Sequence, residues 1–235
     1  MTSISGVVFG WYRFEGRLNI STESGLLALM LVPRFNFTEE RINVNSISIT
    51  SVSGEIDVYA LWQYWPQQPL DHHTYAHSIS RAIKVDVLHG SNTHISSMAG
   101  DVLAYIQPFG KECSTDPSHV FTLAHSGKLL VYFCNVERPL GIFYDPLLNT
   151  ASEHFVSDGE MVVRYPYSWY GEMRAMVVEG SIDFDGSSID SVERGDRFVN
   201  AKRGSGANSL MKAVLEHGNM DVILGLSDWP PASWR

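Results

Sequence analysis

Cysteine, basic charge and long apolar runs are scarce in this chain, and each shortage excludes a class of protein. The chain has only Cys113 and Cys134, too few for a disulfide framework and without a neighbouring histidine or cysteine pattern for zinc. Its 17 basic residues against 26 acidic ones give a formal charge of -9. That balance argues against strong direct nucleic-acid binding by this chain.

Membrane and export signals are also missing. No stretch approaches the about 18 consecutive apolar residues that a bilayer span requires, and Met1–Gly10 lacks the charged start and apolar run of a secretory signal. Apolar residues nevertheless make up 44% of the chain and aromatic residues 11%, which is ample for a packed interior. We expect a soluble globular protein with no membrane span and a single domain over residues 1–235.

Short apolar runs separated by turn residues dominate the sequence, a spacing typical of β-sandwiches and barrels. In Glu55–Leu61 the apolar and polar residues alternate, which indicates a half-buried antiparallel strand. We therefore predict an all-β, antiparallel two-sheet sandwich with long surface loops and little helix. The expected strands are Val7–Phe14, Leu26–Val32, Ser46–Val52, Glu55–Trp65, Ile83–Leu88, Val102–Gln107, Leu129–Cys134, Glu160–Tyr165, Arg174–Glu179, Leu210–Leu215 and Met220–Leu226.

Three segments carry further structural expectations. Residues Gly180–Asn208 are rich in Gly, Ser, Asp and Arg and predict a long surface excursion. The apolar runs of Leu210–Leu226 are joined by a Gly-Asn turn and predict a hairpin. Short helices are expected only at Thr38–Ile42 and His77–Ile83.

Motifs of catalysis are absent from the sequence. It contains neither a phosphate-binding glycine loop nor the strained serine turn of hydrolases. Ser126 follows His125 directly, and adjacent strand residues point to opposite faces, so the two cannot share a proton. We predict no catalytic residues and no cofactor.

Histidines form the best metal candidate. His73 and His77 would share one face of a strand or a helix, and His89 and His94 follow. The cluster is similar to that of cupin-type barrels but lacks their His-x-His with a following Glu. We therefore predict no metal site, and a cupin-like metalloenzyme stays the least favoured alternative.

The surface excursion contains the tripeptide Arg194-Gly195-Asp196, which integrin-type receptors read. An exposed loop is where such a motif has to lie. The competing interpretation is an ordinary turn with a solvated ion pair. We keep these residues as a candidate receptor-binding site.

Aromatic residues cluster in two places and suit a protein interface, a sugar-stacking platform or the ordinary core, because each aromatic ring buries a large area with little entropy loss. The interface interpretation is preferred over sugar stacking. A lectin-like carbohydrate-binding module remains the main alternative function. The candidate interface residues are Tyr165, Tyr167, Trp169, Tyr170, Trp229 and Trp234.

Three stretches in the second half of the sequence, taken in their order along the chain, resemble the capsid proteins of picorna-like viruses, including the small coat proteins of the comovirus group. Ser126–Phe133 is similar to their small-Gly-Lys-Leu-apolar strand, and Met161–Ser168 resembles their strand ending in a Pro-Tyr-Ser bend. Met220–Asp228 resembles the last strand, an apolar-Asp-Val stretch that closes near Asp. A fainter likeness to the family's opening strand lies at Arg13–Leu18.

This resemblance implies an eight-stranded jelly roll and a structural role without catalysis. The chain would assemble with itself or with sister coat proteins into an icosahedral capsid in the host cytoplasm, and would reside in the virion. Residues Gly180–Asn208 would be an exposed loop suited to host-cell attachment. The family often carries a basic or extended N-terminal arm, whereas the first strand predicted here, Val7–Phe14, begins close to Met1. The negative charge fits a subunit whose RNA is held by other components.

Overall fold

The computed structural model describes residues 2–3, 7–14, 16–33, 35–36, 41–42, 44–60, 71–108, 117–134, 147–204 and 208–226. These residues form strands, turns and bends with no helix, so the all-β prediction is confirmed. The expected helix at His77–Ile83 is wrong, because two strands meet there at a tight corner. The strands are β1 Thr2–Ser3, β2 Val8–Phe14, β3 Gly16–Thr22, β4 Leu27–Pro33, β5 Phe35–Asn36, β6 Arg41–Ile42, β7 Val44–Ser51, β8 Ile56–Ala60, β9 His73–Ser78, β10 Ile83–His89, β11 Asn92–Ser97, β12 Val102–Pro108, β13 Ser118–Phe133, β14 Thr150–Pro166, β15 Gly171–Gly186, β16 Ser191–Arg194, β17 Phe198–Arg203 and β18 Ser209–Leu226.

Most of these strands stack into two ladders that belong to one folded sheet. Ladder A contains β1, β3, β7, β9 and β11 and the first halves of β13, β14, β18 and β15. Ladder B contains β2, β4, β8, β10 and β12 and the second halves of the same four long strands. The chain thus passes repeatedly from ladder A to ladder B through a corner.

The strands within both ladders run parallel, so the predicted antiparallel pairing is wrong for the two ladders. Antiparallel pairs occur where β17 joins β15 and β16, and in the separate pair β5–β6. The alternation of apolar and polar residues correctly predicted that Ile56 and Val58 are buried. Such a pattern identifies the buried face of a strand but does not indicate the direction of the neighbouring strand. Because each pass crosses the same corner in the same sense, successive passes lie parallel.

The predicted hairpin at Leu210–Leu226 is also wrong. Residues 209–226 form one bent strand, β18, which lies between β14 and β15 with parallel partners on both sides. The spatial order of the long strands is therefore β14, β18, β15, although β15 precedes β18 in the sequence. The Gly-Asn pair that suggested a hairpin turn marks the corner between the two ladders.

Glycines make this corner possible in the long strands. Gly127, Gly159, Gly218 and Gly180 lie side by side in register, each with φ between 120° and 148°. A Cβ on Gly159, Gly218 or Gly180 would overlap the carbonyl oxygen of the neighbouring glycine. Only glycine allows both this conformation and this close approach.

The inner faces of the two ladders bury one contiguous apolar cluster. Contacts between the ladders include Thr74 Oγ1 donating to the Leu88 carbonyl at 3.4 Å and Phe133 packing edge-on against His154. The arrangement is sandwich-like, but its two halves are hydrogen-bonded into one mixed sheet, so the two-sheet jelly-roll topology is not confirmed. Cys134 is buried, whereas Cys113 lies outside the described residues. Of the helix expected at Thr38–Ile42, residues 38–40 lie outside the described residues, and Arg41–Ile42 form strand β6, so the prediction is wrong there.

Where the structure describes it, the segment 180–208 is more regular than the predicted excursion. It completes β15 and then forms the hairpin β16–β17 against the last rung of ladder A. Most of its side chains are exposed, as expected. Its polar composition reflects the edge of a sheet, where an edge strand has solvent on one side.

Candidate interaction surfaces

The tripeptide Arg194-Gly195-Asp196 lies at the tip of the β16–β17 hairpin. The Gly195 amide donates to the Phe198 carbonyl at 3.0 Å and closes the turn. Arg194 and Asp196 are exposed. The sequence correctly placed this motif at the surface, and the hairpin presents the Asp196 carboxylate to solvent.

Arg194 also contacts the neighbouring sheet edge, which the sequence did not indicate. Its Nη2 donates to the Phe184 carbonyl at 3.0 Å, and its guanidinium lies 5.1 Å from the centre of the Phe184 ring. Phe184 is buried in the second half of β15. The guanidinium thus satisfies an edge carbonyl of ladder B.

The aromatic cluster at residues 165–170 is divided between core and surface. Tyr165 and Trp169 are each 1% exposed and belong to the core, which is the alternative that the sequence left open. Tyr167 and Tyr170 are 48% and 38% exposed. A buried Trp169 presents no face to a sugar, whereas Trp229 and Trp234 lie outside the described residues.

A buried arginine organises this aromatic segment. Arg203 is fully buried, and its guanidinium lies 4.5 Å from the Tyr167 ring centre and 5.1 Å from that of Tyr170. Nη1 donates to the carbonyls of Pro166 and Trp169 at 3.4 and 3.1 Å. Sequence reasoning missed Arg203 because its segment looked solvated. Its role here is to hold the turn that exposes the two tyrosines.

The histidines considered as metal ligands are separated by the fold. His73 and His77 share the outer face of β9, but His89 lies in the core. His94 stacks between Tyr75 and Phe121, with centroid distances of 5.2 and 4.8 Å. Within the described residues, no three His, Cys, Asp or Glu side chains are placed to hold a metal ion.

His89 and His154 each contact buried hydroxyl groups between the ladders. His89 Nδ1 and Nε2 lie 3.0 Å from Thr93 Oγ1 and 3.1 Å from Ser118 Oγ. Burial, together with repulsion from His72 and His119, lowers the pKa of His89 to about 3. The ring is therefore neutral at physiological pH and joins strands β10, β11 and β13.

His154 is held in the same way. Its Nδ1 lies 2.7 Å from Thr122 Oγ1 and its Nε2 lies 3.1 Å from the Tyr165 hydroxyl, which also contacts Ser152. Burial lowers the pKa of His154 to about 3 and raises that of Tyr165. All four side chains are buried, so this network supports the packing of the two ladders and offers no group to a substrate.

The outer face of ladder A carries a row of apolar side chains that crosses adjacent strands. We call it the outer apolar row, and its members, in spatial order, are Leu123, Phe155, Val214, Met176 and Phe198. Met176 and Phe198 are 47% and 37% exposed. Beside the row, Lys212 pairs with Glu153 at 3.0 Å. An apolar strip about 19 Å long next to charged side chains has the make-up of a protein interface.

The stretches that resemble capsid strands lie next to one another in ladder B. One register position on β13, β14 and β18 is occupied by Leu129, Met161 and Met220, and all three are buried.

No family model, no curated protein and no solved structure matches this chain. The described residues contain no helix long and apolar enough to cross a membrane.

Proposed function

We propose that this chain is a non-catalytic coat protein that assembles with copies of itself or with sister subunits into a virus capsid. The outer apolar row carries the proposal. Its apolar side chains, exposed or half-buried, continue across five adjacent strands. Such a surface is costly on an isolated subunit and is stabilised when another protein covers it. The neighbouring Glu153–Lys212 pair supplies a polar rim that sets the register of such a contact.

Two further observations support a structural role. The buried histidines and hydroxyls of the described residues face the core, where they join strands instead of meeting solvent. Three segments also resemble strands of picorna-like capsid proteins in their sequence. They are Ser126–Phe133, Met161–Ser168 and Met220–Asp228. A subunit can assemble through the outer apolar row without the antiparallel jelly roll of that family.

Replacing Met176 tests the assembly surface. Met176→Glu places a charge in the outer apolar row, and we expect it to reduce the yield of particles at least tenfold in negative-stain microscopy of coexpressed coat subunits. Met98→Glu is the matched control, because Met98 is 43% exposed at the corner and outside the row. A wild-type chain that stays a monodisperse monomer under all assembly conditions would contradict the proposal, as would equal losses from both variants.

Host-cell attachment is the second part of the proposed function, favoured by the exposed hairpin tip at Arg194-Gly195-Asp196. We expect Asp196→Glu to reduce binding to a purified integrin-type receptor at least tenfold in surface plasmon resonance, since the longer side chain misplaces the carboxylate. Asp183→Glu, at an exposed aspartate of β15, is the control. Unchanged binding by Asp196→Glu, or no binding by wild type, would remove this role.

A further inference from the structure

The two ends of ladder B differ in how their edge strands are protected. At the β15 end, Arg194 binds the Phe184 carbonyl and covers the Phe184 ring. Strand β16, which carries Arg194 and forms the neighbouring edge on the ladder A side, has four residues, and all are exposed. A short charged strand and a capped carbonyl are common devices against edge-to-edge pairing.

The β2 end has no such protection among the described residues. β2 is seven residues long and pairs with β4 on one side. Val8 donates its amide to the Leu26 carbonyl at 2.9 Å, so its backbone groups point toward β4. Backbone groups alternate along a strand, and those of Phe9, Trp11 and Arg13 therefore point away from β4, toward the open side.

The side chains at this end are also apolar and exposed. Val7 and Phe9 are 68% and 76% exposed, the highest values among the large apolar side chains that the structure describes. An unprotected strand with exposed apolar side chains favours the addition of another strand. The remaining question is which strand is added.

We propose that a second copy of this chain pairs with the first through β2, antiparallel about a two-fold axis, and so joins the two ladders B into one sheet. A strand edge is complementary to itself when it is antiparallel, because each free N–H then meets a free carbonyl. The other end of ladder B is capped at Phe184, which disfavours head-to-tail stacking. Contact between two β2 edges consumes both open ends and closes the assembly at a dimer, which would be the building unit of the shell if the proposed coat function holds.

The backbone geometry gives a selective test at Phe9. Phe9→Pro removes an amide that points to the open side, and edge strands tolerate proline at such positions. We expect the full-length wild-type chain to sediment as a dimer and Phe9→Pro as a monomer, with the mass halved. Phe9→Ala keeps the amide and is the matched control, which we expect to dimerise more weakly than wild type but to a measurable extent.

Removal of the cap tests why the assembly stops at two copies. Arg194→Ala frees the Phe184 carbonyl, and we expect this variant to form species larger than a dimer. The double variant Phe9→Pro with Arg194→Ala should then stop at dimers, joined through the uncapped ends. If Arg194→Ala stays a dimer, the cap does not limit assembly and the argument for a two-fold contact fails.

The results separate this inference from the coat function. A Phe9→Pro chain that remains dimeric, or a wild-type chain that is monomeric, overturns the inference even if particles form under assembly conditions. Circular dichroism of each variant establishes that a change in mass reflects association and not unfolding. Loss of the dimer in Phe9→Pro supports the inference whether or not the wild-type chain builds a shell, because the mass of dilute subunits and the yield of particles are independent measurements.

Discussion

Gly218→Ala is expected to destabilise the fold by about 3 to 5 kcal/mol, a large share of the stability of a typical domain. Gly218 has a φ of 136°, which an L-residue avoids. Its new Cβ would also overlap the carbonyl oxygen of Gly159, so the backbones of β14 and β18 would have to separate. Urea denaturation followed by circular dichroism measures the loss.

Gly16→Ala separates the two causes of this loss. Gly16 also has a positive φ, 75°, but no atom lies within 4 Å of the position of its Cβ. We expect this control to lose about 1 kcal/mol, from backbone conformation alone. Equal losses at Gly16 and Gly218 would show that close approach at the corner contributes nothing, and would contradict the stacked-glycine account of the fold.

The same contact recurs at the other glycines of the corner, so the prediction extends to them. A Cβ on Gly159 would overlap the Gly127 carbonyl oxygen, and one on Gly180 would overlap that of Gly218. Each of these substitutions forces apart two neighbouring strands of the same stack. The corner therefore depends on a column of glycines and not on any single turn.

This column is also the sequence signal that best predicts the repeated corner. Gly127, Gly159, Gly180 and Gly218 each sit between two strand-forming runs, at the point that is typical of a hairpin turn. A hairpin and a corner between ladders need the same permissive residue. Local sequence therefore predicts the bend, while the direction of the next strand depends on distant contacts that local sequence does not encode.

Strands rich in aliphatic residues were predictable, and polar ones were not. The runs around Ile83–Leu88 and Val102–Gln107 coincide with β10 and β12. Three strands were missed: Gly16–Thr22, His73–Ser78 and Asn92–Ser97. Each buries Thr or Ser at positions where an apolar side chain would ordinarily identify the core face. These polar groups are buried at acceptable cost because hydrogen bonds between the ladders satisfy them, as with Thr93 and His89.

The candidate surfaces were also predictable from the sequence only in part. Exposure of Arg194-Gly195-Asp196 followed from its polar, glycine-rich surroundings, because few apolar side chains there could be buried. The contact of Arg194 with Phe184 depends on strand pairing and could not be predicted. Burial of Tyr165 was equally hidden, since its hydroxyl partners His154 and Ser152 lie on a different ladder.

Acidification from pH 6.5 to pH 4 is expected to remove about 4 kcal/mol of folding stability, well before carboxylates in general are protonated. His89 and His154 have pKa values of about 3 in the folded chain and near 6.5 when unfolded. Below pH 6.5 these two histidines are therefore protonated in the unfolded chain but remain neutral in the folded chain. Stability is complete above this pH and falls as the pH drops toward 3, by about 1.4 kcal/mol per pH unit for each histidine.

Asp86 opposes this trend over part of the range. Burial raises its pKa to about 6, although Gln107 Nε2 donates to its carboxylate at 2.6 Å and lowers it again in part. Between pH 3.8 and pH 6 the folded chain binds this proton more tightly than the unfolded chain does, so Asp86 stabilises the fold as the pH falls. Below pH 6 the net slope is therefore about 1.4 kcal/mol per pH unit, about half of what the two histidines alone would give.

A variant at His154 distinguishes this mechanism from general acid denaturation. His154→Gln keeps groups that can hydrogen-bond to Thr122 and Tyr165 but removes the titrating ring. We expect it to lose some stability at pH 7 and to reduce the slope between pH 6.5 and pH 4 by about 1.4 kcal/mol per unit, measured by urea denaturation. An undiminished slope in His154→Gln would mean that the buried imidazole is not the group that couples folding to pH.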